Sequence, residues 1–243
     1  MSAPVFVVAS DLLDVGRVVV DGSEGRHAAT VTRLGPGEPV VLTDGRGRRA
    51  SGVVVGAERD RLSVEVAAVE VVPTAQPRFV VVQALPKGDR GELAVETMTE
   101  VGVDVVVPWA ASRCVTRWRA ARGEKALSRW RTSSHSAAKQ SRRSWFPEVA
   151  EPATTAEVAE LLSAAAVRAV LYESAVDPLA SVDLPGSGDV VLVVGPEGGV
   201  SDDELSAFRD AGATTYRLGE TVLRTSTAGT AALAVLSAKA RWL

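Results

Sequence analysis

The strongest chemical signal in the chain lies between Val190 and Glu204. Five apolar residues, Val190-Val191-Leu192-Val193-Val194, lead straight into Gly195-Pro196-Glu197-Gly198-Gly199. Ser201 and Glu204 have capping-box spacing, so a helix starts near Asp202. The glycine turn then sits at the carboxyl end of a buried strand, where open α/β sheets bind ligands. Glycines there let backbone amides and carbonyls approach a ligand closely. The turn is neither a G-x-x-x-x-G-K-[ST] phosphate loop nor G-x-G-x-x-G. It has no lysine, and Pro196 removes a backbone donor, which argues against a nucleoside triphosphate. A second segment runs from Tyr216 to Leu233. A strand reaches Leu218-Gly219, and a short loop leads to a helix opened by Thr225-Ser226-Thr227, whose hydroxyls can cap its first turn. The small residues Ala228-Gly229-Thr230-Ala231-Ala232 permit close packing. Taken alone, the first segment is equally a tight strand-to-helix turn with no ligand, and the second is a tightly packed core helix. Two glycine-bearing strand ends, both followed by helices, jointly build one pocket.

Such strand ends must be held side by side by a parallel sheet. From Phe79 onward strand and helix patterns alternate. Strands are expected over Phe79–Leu85, Val103–Pro108, Val167–Tyr172, Val190–Val194 and Thr214–Leu218. Helices are expected over Gly91–Val101, Gly123–Arg142, Glu157–Ala165, Asp202–Ala211 and Thr225–Arg241. Valine-rich runs with helices between them imply a mostly parallel sheet covered on both faces. Residues 1–72 read differently. Short strands are punctuated by Asp21-Gly22, Gly35-Pro36-Gly37 and Asp44-Gly45, the rhythm of a small antiparallel barrel, interrupted by a helix over Glu24–Leu34. Pro73 and Pro77 frame a linker.

Composition narrows the function classes. The chain has 243 residues, 46% hydrophobic, enough for a sizeable core. A single cysteine, Cys114, excludes an internal disulfide and a cysteine cluster for zinc. His27 and His135 show no ligand spacing, so no metal is expected. The first sixteen residues lack a charged n-region and a long apolar core, and no run is long enough to span a bilayer; a cytoplasmic protein is expected. The net charge is −3, but Arg113–Arg143 holds ten Lys/Arg and one acid. Such polarisation suggests one face for a polyanion, against the alternative of a solvated helix face. Trp118, Trp130 and Trp145 lie among these arginines and could stack on bases; Trp130, at helical spacing from Leu127, reads better as core.

Gly195-Pro196-Glu197-Gly198-Gly199, Leu218-Gly219 and Leu223-Arg224-Thr225-Ser226-Thr227-Ala228 resemble the ribosomal RNA small subunit methyltransferase E family, of the SPOUT class. The likeness extends to Lys87–Leu93, Glu100–Asp104, Ser112–Val115, Ala138–Arg142 with Pro147-Glu148, and Arg33–Gly37. It implies an α/β fold: a trefoil-knotted SPOUT methyltransferase domain over 78–243, with a parallel sheet. A linker over 73–77 and a PUA-like β-barrel over 1–72 would precede it. The implied activity is S-adenosylmethionine-dependent methylation of N3 of a uridine in 16S ribosomal RNA, free or in the small subunit, by a homodimer with a shared site. The cofactor contacts it implies are Leu171, Tyr172 and Glu173; Val194, Gly195, Pro196, Glu197, Gly198 and Gly199; and Leu218, Gly219, Leu223, Arg224, Thr225, Ser226 and Thr227. Arg224 is the candidate catalytic residue, stabilising charge that develops on the base oxygens. Arg33, Arg113, Gln140, Arg142 and Arg143 are the expected RNA contacts. Glu197 is a candidate base or equally a loop-orienting group. The chain departs from the family pattern at Thr221, usually Arg, and Ser226, usually Glu.

Two other functions fit the same features. One is methylation of a ribose 2′-hydroxyl by a related knotted enzyme, although such relatives carry a Ser-Leu-Asn-Val-Ser run where this chain has Leu223–Ala228. The other is a non-catalytic RNA-binding assembly factor, which would need no cofactor pocket.

Overall fold

The computed structural model describes residues 3–242. Met1, Ser2 and Leu243, at the outer limits of the two expected domains, lie outside the described residues. The chain divides into two compact units. One runs through Thr74 and includes Ala138–Phe146; the other comprises Ala75–Ala137 and the chain from Pro147 onward.

The first unit contains β1 (Val5–Val7), β2 (Gly16–Val20), α1 (Gly22–Arg26), β3 (Pro39–Thr43), β4 (Arg48–Glu58) and β5 (Arg61–Val71). They form one sheet of order β1-β3-β4-β5-β2. Ala50, Gly52 and Val54 on β4, and Leu62, Val64 and Val66 on β5, alternate inward along a half-buried ribbon. The sheet is not wholly antiparallel as the turn rhythm predicts: β1 pairs with β3 in parallel. The excursion through β2 and α1 is long enough to return the chain in the same direction. The helix expected over Glu24–Leu34 begins at Gly22 and widens into a π-turn over His27–Val31.

The Asp44-Gly45 turn is built by its own side chain. The Asp44 carboxylate accepts the Arg46 and Arg48 amides at 2.7 and 3.1 Å and the Ser10 hydroxyl at 2.8 Å. Gly45 and Gly47 have positive φ, and a Cβ on Gly47 would stand 2.6 Å from the Trp145 indole. Trp145 also donates its ring N–H to the Val72 carbonyl at 2.8 Å. Ala138–Phe146, which periodicity alone puts with the second domain, therefore packs with the first unit.

The second unit holds β6 (Arg78–Ala84), α2 (Arg90–Val101), β7 (Val105–Trp109), α3 (Ala120–Gln140, whose last residues belong with the first unit), β8 (Glu148–Val149) and α4 (Thr155–Ala164). It continues with β9 (Val167–Leu171), β10 (Asp189–Val194), α5 (Asp202–Asp210), β11 (Thr214–Tyr216) and α6 (Thr225–Ala240). The sheet order is β11-β9-β10-β6-β7-β8, with every pairing parallel. Trp109 and Ala84 are paired and point to one face, where Trp109 meets Phe208 of α5 at 5.3 Å and donates to Thr155 of α4. Gln83, one residue earlier, points to the other face, toward α2 and α6. There Thr97 and Thr230 share a 2.6 Å hydrogen bond, and Gly229 leaves room for the Met98 sulfur.

Arg241 fastens the end of α6. Its guanidinium donates to the carbonyls of Gly102 and Pro77, pairs with Asp104, and lies 4.0 Å from the Phe79 ring centroid. The two charged side chains are only 12% and 18% exposed. Removing one partner of such a pair strands the other charge, so Arg241→Ala should lower stability by about 3 kcal/mol, read from urea denaturation. A change below about 1 kcal/mol would class the contact with ordinary surface ion pairs.

Candidate active site

Three segments meet at the carboxyl ends of β9, β10 and β11. Leu171–Glu173, Val194–Val200 and Tyr216–Thr225 line a cavity of about 550 Å³, joined by Arg113, Asp202 and Ala228. That volume suits one small-molecule ligand. Why the chain turns here is local. Val200 would stand 2.8 Å from a Cβ on Gly195, and Gly199, at φ +73°, folds its amide back to the Pro196 carbonyl at 2.9 Å. Ser201 and Glu204 then close a reciprocal capping box that starts α5. In the third segment a Cβ on Gly219 would meet nothing within 4 Å. Its bare backbone leaves space along the wall for a ligand.

Of the residues expected at the cofactor, all but two line this cavity: Leu171, Tyr172, Glu173, Val194, Gly195, Pro196, Glu197, Gly198, Gly199, Leu218, Gly219, Leu223, Arg224 and Thr225. Ser226 and Thr227 do not. Ser226 is turned into the core at 3% exposure, and the Thr227 hydroxyl donates to the Arg224 carbonyl at 3.1 Å. Glu220, Thr221 and Val222, inside the expected third loop Leu218–Thr227, also line the cavity, as do Tyr216, Arg217, Val200, Asp202 and Ala228, which had not been singled out for it. Most flank the motif residues, so their neighbourhood was the signal.

Arg224 is the residue before α6, in an extended conformation. Its carbonyl accepts the amides of Thr227 and Ala228, both at 2.9 Å, while its side chain is exposed at the cavity. Among the described residues its guanidinium has no hydrogen-bond or ion-pair partner, so the charge is available to a ligand. Glu197 is tied down: its carboxylate accepts the Lys87 amide at 3.2 Å. That bond orients the glycine turn against the end of β6. Arg113, expected at RNA, also forms cavity wall, and donates to the carbonyls of Gly198 and Val200 at 3.4 Å.

Sequence reasoning assigned Glu204 only a capping role, but its carboxylate joins three segments. It accepts the Ser201 amide and hydroxyl, both at 2.9 Å, and the Ser112 amide at 2.7 Å, with Thr155 at 3.5 Å. The turn and the Arg113 loop are thereby fixed to each other. Burial pushes its carboxyl up, but the amides of Ser112 and Ser201 and the Ser201 hydroxyl outweigh that and hold it below the ordinary glutamate value. A carboxyl lowered in this way stabilises the fold above its unfolded pKa, and that contribution is lost as pH falls through the folded one. Glu204→Gln should therefore be less stable at neutral pH and show a flatter loss of stability in acid. Denaturation midpoints measured across the acid range check this; parallel curves would contradict it.

An RNA methyltransferase domain model matches residues 74–237, and an RNA methyltransferase PUA domain model matches 20–67. Ribosomal RNA small subunit methyltransferase E from Mycobacterium bovis is 48% identical over the full chain and 94% of its own length. The chain belongs to the ribosomal RNA small subunit methyltransferase E family. The Bacillus subtilis member is 27% identical, covering 90% of this chain and 88% of its own. The structure of the Neisseria gonorrhoeae member bound to S-adenosyl methionine shares 27% identity and a TM-score of 0.85, with 98% of each chain covered. A putative methyltransferase from Legionella pneumophila, in complex with bound S-adenosylmethionine, gives 25% and 0.84, again with 98% of each covered. These matches confirm the SPOUT-like methyltransferase fold and the PUA domain read from the sequence.

Within this family the chain's two departures fall in different settings. Thr221 lines the cavity, whereas Ser226 is buried, where a small hydroxyl fits. The expected RNA contacts divide between the units. Arg33, Gln140, Arg142 and Arg143 belong to the PUA-containing unit and Arg113 to the methyltransferase unit. Arg33 and Arg142 are exposed and hold left-handed backbones, φ 57° and 58°, which disfavour any residue but glycine. The basic window is partly neutralised: Arg129 pairs with Glu92, Arg131 with Glu151 and Lys139 with Glu24. Arg119, Arg122 and Lys125 are exposed and have no ion-pair partner among the described residues. The tryptophans are packed. Trp130 is 3% exposed and meets Trp118 edge-on at 5.0 Å, and Trp145 closes on Gly47. Trp130 therefore belongs to the core, while Trp118 and Trp145 are half-buried.

Among the described residues no group of His, Cys, Asp and Glu could hold a metal, and no helix is long and apolar enough to cross a membrane. Cys114 is buried, and burial pushes its thiol up.

Proposed function

We propose that this chain methylates N3 of a uridine in small-subunit ribosomal RNA, with S-adenosylmethionine as methyl donor. The observation that carries the reading is the glycine-lined cavity with an unpaired Arg224 at its edge. The cavity fits the donor in size and in chemistry. Its walls offer backbone groups around Gly195, Gly198 and Gly219, with carboxylates Glu173 and Asp202 for a cationic ligand, and no phosphate cradle. When bound, the donor supplies an electrophilic methyl group on a sulfonium. Uridine N3 is a poor nucleophile until its proton leaves to water, and the resulting charge spreads onto the two ring oxygens. Arg224 stabilises that charge, and the cavity wall holds the base in line so that the N3–carbon bond forms as the sulfur–carbon bond breaks.

RNA grip rests on Arg33, Arg142 and Arg143 with Gln140, together with Arg113 at the cavity. Binding should weaken steeply with salt, and Arg142→Ala should shallow the log–log salt slope by about 1. An unchanged slope would remove Arg142 from the interface.

A trefoil knot and a homodimer are part of the same reading. Lys239 near the end of α6 donates to the carbonyls of Ala180 and Val182, between β9 and β10, which supports a tail seated within that loop. Val222 and Leu223, 76% and 39% exposed on the cavity's rim, support a second copy covering it. A ribosomal RNA substrate places the work in the cytoplasm.

Digesting RNA methylated by the purified protein to nucleosides tests the reading. It expects 3-methyluridine. A 2′-O-methylated nucleoside would favour the ribose-methylating alternative, and no methylated nucleoside together with no donor binding would favour an assembly factor.

A further inference from the structure

Gln83 interrupts the apolar run of β6 and is fully buried, at 0% exposure. It pairs in register with Val194 of β10, which lines the cavity. Its amide nitrogen donates to the Ala84 carbonyl at 3.0 Å and, across the fold, to the Thr225 carbonyl at 3.3 Å. Its amide oxygen has no partner among the described residues. The amide cannot be reversed, because its oxygen would then face two carbonyls. A buried amide left half satisfied destabilises the fold, and a methionine would fill the same space without that defect. Stability therefore does not explain glutamine here. Thr225 opens α6 and directly follows Arg224. The Gln83 bond pins that first turn to the central strand, and Gly229 beside it lies 3.5 Å, by an added Cβ, from the amide oxygen, an ordinary contact that supplies the oxygen with no hydrogen-bond donor.

We propose that Gln83 is a positioning residue for methyl transfer: through Thr225 it holds Arg224 at the height from which its guanidinium serves the cavity. The proposal rests on the reading of Arg224 as the group that stabilises the anionic uracil.

Gln83→Met keeps the shape and removes the donor and the orphan oxygen together. Its melting temperature should equal or exceed that of the unaltered protein. Its affinity for S-adenosylmethionine should stay within about threefold, because most cavity contacts are untouched. Its kcat on ribosomal RNA should fall about tenfold to a hundredfold, as expected for a misplaced catalytic group. In an Arg224→Ala background the same change should leave kcat unaltered, since nothing is left to position. Gln83→Glu sets an oxygen against both carbonyls, so its kcat relative to that of the unaltered protein at the same pH should recover as pH is lowered and the carboxyl regains a proton to donate. Wild-type kcat in Gln83→Met, or an equal further loss in the Arg224→Ala background, would overturn the proposal. Should Gln83→Met not fold, a Gln83→Glu kcat that keeps a constant ratio to that of the unaltered protein across pH would overturn it. Amide exchange over residues 222–227 separates this from the underlying reading, because it needs no substrate. Faster exchange in Gln83→Met supports the tether even if the protein proves inactive on uridine, and unchanged exchange refutes the tether whatever the activity.

Discussion

Replacing Arg224 with alanine should lower kcat by about 10²- to 10³-fold while leaving the affinity for S-adenosylmethionine within a few-fold. The asymmetry follows from where the side chain stands. Its backbone is held by the first turn of α6, through the Thr227 and Ala228 amides, and alanine keeps those bonds. Its guanidinium forms no hydrogen bond or ion pair with a described residue, so its loss strands no partner and should not unfold the chain. What disappears is a fixed positive charge at the cavity, which matters most when negative charge develops on the base. Lysine should restore only part of the rate, because a point charge cannot serve two acceptors as a planar fork does. Single-turnover kinetics on ribosomal RNA, with calorimetric donor binding, measures both quantities. A fall in donor affinity matching the fall in rate would recast Arg224 as a cofactor contact.

Gly195→Val should weaken donor binding by about a hundredfold or more, with the fold intact. A Cβ at this position meets the Val200 methyl group at 2.8 Å, and a valine side chain has no flexible end to move aside. The conflict lies after β10 ends, so the strand ladder to β6 and β9 survives and the strain goes into the turn. Opening it carries Glu197 from Lys87, and Gly198 and Val200 from Arg113. Circular dichroism and thermal melting would report a folded protein, and calorimetry would report the lost affinity. Unaltered affinity would mean that the Gly195–Gly199 turn does not form the donor's wall.

What could be read in the sequence was local. The capping box at Ser201 and Glu204, the glycine turn behind it and the valine strands all follow from nearest-neighbour chemistry, and each is found where it was expected. The misreadings are long-range. Ser226 was expected at the cofactor through the family resemblance, and α6 is apolar or small on every side, so its sequence carries no periodicity to say which face is inward. The parallel β1–β3 pairing depends on which strands become neighbours, which turn signals do not encode. Trp145 appeared to be a base platform until its indole was placed over Gly47. Arg113 was expected at RNA from its charge and from the Ser112–Val115 likeness, and its place in the cavity wall comes from the position of β7 two strands from β10. Gln83 drew no notice because a single amide in a valine strand shows its purpose only through Thr225, which lies 142 residues further along the chain.

The account stands or falls on where the methyl donor lies. A crystal structure of this protein grown with S-adenosylmethionine should show it between Leu171–Glu173, Val194–Val200 and Tyr216–Thr225, with its methyl group turned toward the side of the cavity that Arg224 borders. Density for the donor at any other surface, with this cavity empty, would contradict it.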